Sequence, residues 1–266
     1  MTKKLWHENA LKKIKNIFEH TKEVKAVILC GSLANENIKI DQWSDIDLKV
    51  IVNQSALNMF YPETSWSKEL GTIFSIDQNQ TKYSYTTRLC MEDLSRYDIT
   101  FITYEDLTKI KTLNLSKKYT FIKNNIPNLE ILLKNIPVEK YNGIDMNWLE
   151  EFQQAFWHKA VIAITKLKRN DLLICYHLIL DLAKDCLLLK MIQRDIKYDT
   201  NIHRTGGYGN KFVKDLFKDI NINSKTDILN NLKLFCEKFD SLSKNLNSRS
   251  SKIKTINKFI EIAQSK

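Results

Sequence analysis

Two aspartates stand one residue apart at the start of an apolar run, a short distance after a glycine-serine pair. Asp45 and Asp47 precede the run that ends at residue 52, and Gly31-Ser32 follows an apolar run over residues 26–30. Side chains alternate between the two faces of an extended strand, so this spacing places both aspartates on one face. Adjacent carboxylates repel unless a cation joins them, and Mg²⁺ is typically held by one or two carboxylates together with phosphate oxygens. The spacing therefore predicts a magnesium site at the beginning of a strand.

The glycine-serine pair fits a phosphate ligand beside that site. Gly31 has no Cβ, which allows the backbone to approach a phosphate closely, and Ser32 adds a hydroxyl and an N–H that would also serve at a helix start, where anions are favoured. Each motif alone is common in ordinary turns and solvated strand ends. Their order between two apolar strands favours transfer of a nucleotidyl group from a nucleoside triphosphate.

A third carboxylate follows in a segment that alternates like a half-buried strand. Between Arg96 and Tyr104, the apolar side chains of Tyr97 and Phe101 share one face, and Asp98 lies on the other. If this strand lies beside the one that carries the aspartate pair, Asp98 reaches the same site. It would then act as a metal ligand or as the general base for an acceptor hydroxyl. The alternative is an aspartate at a surface or sheet edge.

The elements that position these residues indicate an α+β protein with two domains. Residues 1–135 are expected to form a mixed sheet with flanking helices, and residues 136–266 an α-helical bundle. We predict a first half with helices over 6–21 and 54–60, strands over 25–31, 46–52 and 97–103, an extended segment near 83–91, and an irregular loop over 61–80. The second half is expected to hold helices over 146–168, 171–192, 210–219, 225–240 and 250–264.

Composition narrows the class of protein. The chain has 266 residues, a formal net charge of +10 and five cysteines without a metal-binding spacing, which favours reduced thiols and a cytoplasmic location. No nucleic-acid-binding motif accompanies the basic charge, so a nucleic-acid partner is not expected. We also predict no membrane span and favour a monomer.

Several of these segments resemble a known enzyme family. The stretches over 31–37 and 41–47 resemble the bacterial aminoglycoside nucleotidyltransferases, most closely the streptomycin 6-adenylyltransferase group of the DNA polymerase beta-like nucleotidyltransferase superfamily. The segment over 97–101 resembles the strand with that group's third carboxylate. The segments over 151–172 and 206–212 resemble its tryptophan-rich helix and its glycine-lysine segment.

The resemblance implies an Mg²⁺-dependent transfer of AMP from ATP to a hydroxyl of a small-molecule antibiotic, with a streptomycin-like aminoglycoside as the expected acceptor. This modification would give antibiotic resistance. The resemblance implies that Asp45 and Asp47 bind metal and that Asp98 is the catalytic carboxylate, as base or third ligand. It also implies that Lys166 contacts the triphosphate, and Arg169 stands close by as a second candidate. The alternative for both cations is the basic end of a helix, which the helix dipole favours.

A polycationic acceptor would need acidic or aromatic contacts in spite of the basic total charge. The candidates on the two central helices are Trp148, Glu150, Glu151, Trp157, Asp181 and Asp185. Surface glutamates are usually only solvated, and aromatic side chains at helical spacing usually belong to a core.

Three other functions stay open from the sequence. A nucleotidyltransferase of this type can act on a lincosamide or another small molecule, or on protein or RNA as in toxin–antitoxin pairs. A catalytically inactive binding module is the third, and the presence of all three aspartates argues against it.

Overall fold

The computed structural model describes residues 6–37, 39–110, 118–136, 144–198, 208–246 and 251–265. The chain divides into two compact units, Met1–Glu139 and Lys140–Lys266. The first contains a mixed sheet with helices and the second contains helices, which confirms the α+β class.

A six-stranded sheet organises the first unit. Its order is β3-β4-β5-β2-β1-β6, in which β2 and β5 are parallel and all other neighbours are antiparallel. The elements are α1 (Trp6–Glu19), β1 (Val24–Cys30), β2 (Ile46–Val52), β3 (Ile73–Gln80), β4 (Tyr85–Met91), β5 (Arg96–Thr103), β6 (Thr120–Asn124) and α2 (Leu129–Asn135). Three 3₁₀ segments connect them, Gly31–Ala34, Gln54–Met59 and Ser65–Glu69.

Alternation along β2 and β5 builds a core on each side of the sheet. On one face Leu48 and Phe101 pack with Phe18 of α1, and all three side chains are fully buried. On the other face Ile51 and Ile102 belong to a smaller cluster that includes residues of α2. These two strands therefore lie at the buried centre of the sheet. Because their register is fixed by this burial, the face to which each side chain points is fixed as well, including at the start of each strand.

The irregular loop predicted over residues 61–80 was wrong in its last part. Residues Ile73–Gln80 form β3, an edge strand that pairs with β4 alone. Most of its side chains are exposed, so the segment lacks the apolar alternation that identifies a half-buried strand. The strand β6 and the helix α2 were not predicted from the sequence, and the helix predicted over 54–60 is a 3₁₀ segment.

The described part of the second unit consists of helices and their connections. They are α3 (Met146–Lys168), α4 (Leu172–Tyr198), α5 (Asn210–Phe217), α6 (Lys225–Lys244) and α7 (Ile253–Ser265). Its core is centred on Phe156 of α3, which stacks on Phe239 of α6 with ring centroids 3.5 Å apart. No helix in the described ranges is long and apolar enough to cross a membrane.

Candidate active site

Asp47 and Asp98 lie side by side on the two parallel strands. In the register of β2 and β5, Asp47 pairs with Asp98 near the start of both strands. Residues paired in this way project from the same face, and neighbouring strands are about 4.8 Å apart. β5 therefore lies beside β2. This is the arrangement that Asp98 needs if it is to reach the same site as Asp47.

Gly31 lies against the Asp47 carboxylate. Its φ is +69°, a conformation that favours glycine, and a Cβ added to it would stand 1.8 Å from Asp47 Oδ2. Ser32 follows in the 3₁₀ segment Gly31–Ala34, where its carbonyl accepts a hydrogen bond from Asn35 N–H at 3.2 Å. The glycine is therefore required at this position by the close approach of the carboxylate.

Asp45 stands directly before β2, after a turn that is anchored to α1. Within the turn, Asp41 Oδ1 accepts hydrogen bonds from Trp43 N–H at 2.9 Å and from the Ser44 hydroxyl at 3.2 Å. The Ser44 carbonyl lies 2.8 Å from Nε2 of the buried His7. These contacts fix the chain that leads into the strand carrying Asp47.

An arginine that the sequence analysis did not include binds Asp98. Arg88 of β4 donates from Nε to Asp98 Oδ2 at 3.1 Å and from Nη1 to Asp77 Oδ2 of β3 at 2.9 Å. The hydrogen bond to Asp77 is the main reason that the pKa of Arg88 is raised. In the sequence, Arg88 is marked only by its place in an alternating segment. That position does not indicate a partner until the neighbouring strands are known.

A second cation lies on the same face, one step further along the strands. Lys49 of β2 donates from Nζ to the Thr100 hydroxyl at 2.9 Å, and Thr86 and Thr100 hydroxyls lie 3.1 Å apart. Lys49 is two residues beyond Asp47 on the same strand. This spacing alone predicts that the two side chains share a face. The face therefore combines two adjacent carboxylates with two flanking cations.

Two carboxylates suit a magnesium ion that also binds a triphosphate. Mg²⁺ is commonly held by one or two carboxylates plus substrate phosphates, and the missing Cβ of Gly31 makes room for the Asp47 carboxylate on this face. Within the described ranges, no group of three His, Cys, Asp or Glu side chains is arranged to hold a metal ion. Participation of Asp45 as a further ligand stays a prediction.

Comparison with known proteins identifies the family. The family model for streptomycin adenylyltransferase matches residues 6–252 of the chain. The chain belongs to the streptomycin adenylyltransferase family. This confirms the resemblance and the enzyme class, a nucleotidyltransferase.

Two proteins with established names are similar to this family member in sequence or in chain-wide structural alignment. The aminoglycoside 6-adenylyltransferase of Staphylococcus aureus is 26% identical over 215 residues, which cover 75% of this chain and 73% of the relative. The crystal structure of an aminoglycoside 6-adenyltransferase from Bacillus subtilis aligns with 97% of each chain at 12% identity, with a TM-score of 0.38.

The two residues predicted to contact the triphosphate, Lys166 and Arg169, lie in the second unit. Lys166, in the last turn of α3, donates to Asp171 Oδ2 at 2.8 Å and lowers the pKa of that carboxyl. Arg169 is the C-cap of α3, and its N–H donates to the Thr165 carbonyl at 3.1 Å. Both cations end the helix, and their contact with a nucleotide stays a prediction. In the glycine-lysine segment, residues 206 and 207 lie outside the described ranges, and α5 begins at Asn210.

The aromatic candidates for the acceptor differ in exposure. Trp148 is 38% exposed and stacks on Phe152, with ring centroids 5.0 Å apart and an interplanar angle of 11°. Trp157 is only 4% exposed and packs edge-on against Phe156 and Phe239. The structure therefore favours a core role for Trp157 over its predicted contact with an acceptor.

The acidic candidates also fall into two groups. Glu150 and Glu151 are exposed on α3, and the half-buried Asp181 of α4 pairs with Lys184. The remaining candidate, Asp185, is buried and pairs with Lys159; burial raises the pKa of its carboxyl, and the lysine opposes that shift. Asp185 therefore has a structural role inside the helical unit, whereas Glu150 and Glu151 are exposed and Asp181 is partly exposed.

Proposed function

We propose that this protein transfers AMP from ATP to a hydroxyl of an aminoglycoside antibiotic, in an Mg²⁺-dependent reaction that gives resistance. The observation that carries the proposal is the in-register pair Asp47 and Asp98, with Gly31 against the first carboxylate. Membership of the streptomycin adenylyltransferase family and the aminoglycoside relative from Staphylococcus aureus support the acceptor class. Because ATP is the donor, we place the reaction in the cytoplasm.

The proposed roles follow from the two carboxylates. Asp47 and Asp45 would hold the magnesium, which neutralises charge on the phosphates and on the departing pyrophosphate. Asp98 accepts the proton of the acceptor hydroxyl as its oxygen bonds to the α-phosphorus. The bond from that phosphorus to pyrophosphate breaks at the same time, and the product carries AMP.

Residues of the second unit are proposed to contact the two substrates. Lys166 and Arg169 are proposed to offset charge on the triphosphate. The exposed Glu151, the half-buried Asp181 and the stacked indole of Trp148 are the groups proposed to meet a polycationic acceptor. We leave Trp157 out of this set because its ring lies in the core.

The test is pyrophosphate release with ATP and Mg²⁺ across a panel of streptomycin, other aminoglycosides and lincosamides. The proposal expects release with at least one aminoglycoside and a product heavier by one AMP in mass spectrometry. Release with a lincosamide alone would replace the acceptor class. Absence of release across the panel, with ATP still bound, would reject a small-molecule acceptor of these classes.

A further inference from the structure

Four charged side chains form a continuous row across the sheet. In the register of the strands, Asp77 of β3 pairs with Arg88 of β4, Arg88 with Asp98 of β5, and Asp98 with Asp47 of β2. The row therefore runs from the edge of the sheet to the carboxylate pair, with one guanidinium between the outer and inner aspartates. Residues paired across strands share a face, so all four project to the side of the proposed active site.

The contacts in the row are directional. Arg88 uses Nε for Asp98 and Nη1 for Asp77, so two different N–H groups of one planar fork bind two carboxylates. A guanidinium bound on both sides has its plane fixed, and it can therefore orient each carboxylate that it binds. A lysine ammonium lacks this fork, and a single aspartate partner would leave the arginine free to swing.

We propose that Arg88 and Asp77 are positioning residues for Asp98. Asp77 holds the Arg88 guanidinium, and Arg88 in turn holds the Asp98 carboxylate in the orientation that accepts the proton of the acceptor. The proposal rests on the function proposed above, in which Asp98 is the base. It also gives the edge strand β3 a part in the reaction, since β3 supplies the outer member of the row.

These ion pairs contribute little to stability, which makes an effect on activity interpretable. The side chains of Arg88, Asp77 and Asp98 are 44%, 71% and 31% exposed. Ion pairs with this exposure are weak because water and salt screen them. Removal of either outer residue should therefore change the reaction rate much more than the melting temperature.

The experiment compares kcat, the KM for ATP and the melting temperature in Arg88→Met, Arg88→Lys, Asp77→Asn and the double variant Arg88→Met/Asp77→Asn. Because a displacement of about 1 Å at a reacting group can cost on the order of 100-fold, we expect that loss of kcat for Arg88→Met and roughly tenfold for Asp77→Asn. The KM for ATP should change by less than about threefold, since uniform binding is retained. The double variant should be no slower than Arg88→Met alone, because Asp77 acts only through Arg88.

Three comparisons make the result specific. Asp219→Asn removes an exposed aspartate of α5's downstream connection and should keep wild-type kinetics. ATP affinity, measured by calorimetry without an acceptor, should be unchanged in Asp77→Asn. Arg88→Lys keeps the charge but loses the fork, and it should lose most of the activity that Arg88→Met loses.

The outcomes separate this inference from the function on which it rests. Wild-type kcat in Asp77→Asn would overturn the row, even if Arg88→Met were slow or failed to fold. Wild-type kcat in Arg88→Lys would overturn the orienting role in favour of charge alone. If Asp98→Asn kept full activity, the proposed function itself would fail. If Asp98→Asn were inactive while both outer variants behaved as wild type, only the positioning inference would fail.

Discussion

Replacement of Gly31 by alanine tests the closest approach in the proposed site. The new Cβ would stand 1.8 Å from Asp47 Oδ2 and 2.8 Å from Asp47 Cγ, far inside contact distance. The backbone is also at φ +69°, where a residue with a Cβ costs about 1–2 kcal/mol. Gly31→Ala therefore either displaces the Asp47 carboxylate or distorts the turn before Ser32.

The expected loss of activity follows from the size of that displacement. Ordinary contact between carbon and oxygen requires roughly another 1.5 Å of separation. A misplacement of about 1 Å at a reacting group can cost on the order of 100-fold in rate, which equals about 2.7 kcal/mol of barrier. We therefore expect Gly31→Ala to lower kcat at least about 100-fold and to destabilise the protein by about 1–3 kcal/mol.

The assay is pyrophosphate release at saturating ATP and acceptor, with thermal unfolding followed on the same samples. Gly71→Ala is the matched control, because Gly71 also has a positive φ, +152°, but nothing lies within 4 Å of its added Cβ. It should show the backbone cost in stability without the loss of rate. In an Asp47→Ala background, the stability cost of Gly31→Ala should shrink, because the clashing carboxylate is absent.

Near wild-type activity of Gly31→Ala would refute this reasoning, since it would mean that the Asp47 carboxylate tolerates displacement. Equal losses of rate in Gly31→Ala and Gly71→Ala would refute it as well, because backbone strain alone would then explain both. Additive stability costs in the double variant would show that the two residues are not in contact.

Three further expectations concern other parts of the chain. Leu94→Gly should raise the free energy of unfolding by about 0.5–1 kcal/mol, because Leu94 is exposed and has φ +69° in the turn between β4 and β5. An unchanged thermal unfolding curve would show that the turn is unstrained. Lys166→Met should raise the KM for ATP by roughly tenfold, since a hydrogen bond to a charged group contributes about 1.5–3 kcal/mol. Lys168→Met should leave the KM unchanged, because the Lys168 ammonium binds a carbonyl of α7, and equal effects of the two substitutions would reject a specific contact of Lys166 with ATP. Burial raises the pKa of the Cys186 thiol to about 12, so the native protein should show no alkylation of Cys186 by iodoacetamide from pH 7 to 9; rapid alkylation while the protein stays folded would contradict its burial.

The parts of the site that lie on one strand were predictable from the sequence. Alternation in β2 and β5 places Asp47 and Asp98 on the face opposite their apolar neighbours Leu48 and Ile99, and the structure has both neighbours fully buried. Alternation is a local property, since it follows from the geometry of a single strand. The same holds for α3, whose observed bounds equal the predicted range over 146–168.

The parts that depend on strand order were not predictable. Arg88 reaches Asp98 because β4 pairs with β5, and it reaches Asp77 because β3 pairs with β4. Both pairings depend on contacts between strands, and β3 has too few buried side chains to be identified as a strand. Trp157 shows the same limit in the helices, because its burial depends on packing against Phe239 of α6.

The most direct test of the account is AMP transfer by Asp47→Asn compared with the wild-type enzyme at the same acceptor. The substitution removes one negative charge from the carboxylate pair and keeps the shape of the side chain, so the melting temperature should change little. Asp47 is the proposed metal ligand, and loss of such a ligand removes several kcal/mol of transition-state stabilisation, so we expect the rate to fall by at least on the order of 100-fold. Transfer at the wild-type rate by a folded Asp47→Asn would contradict a catalytic site at this carboxylate pair.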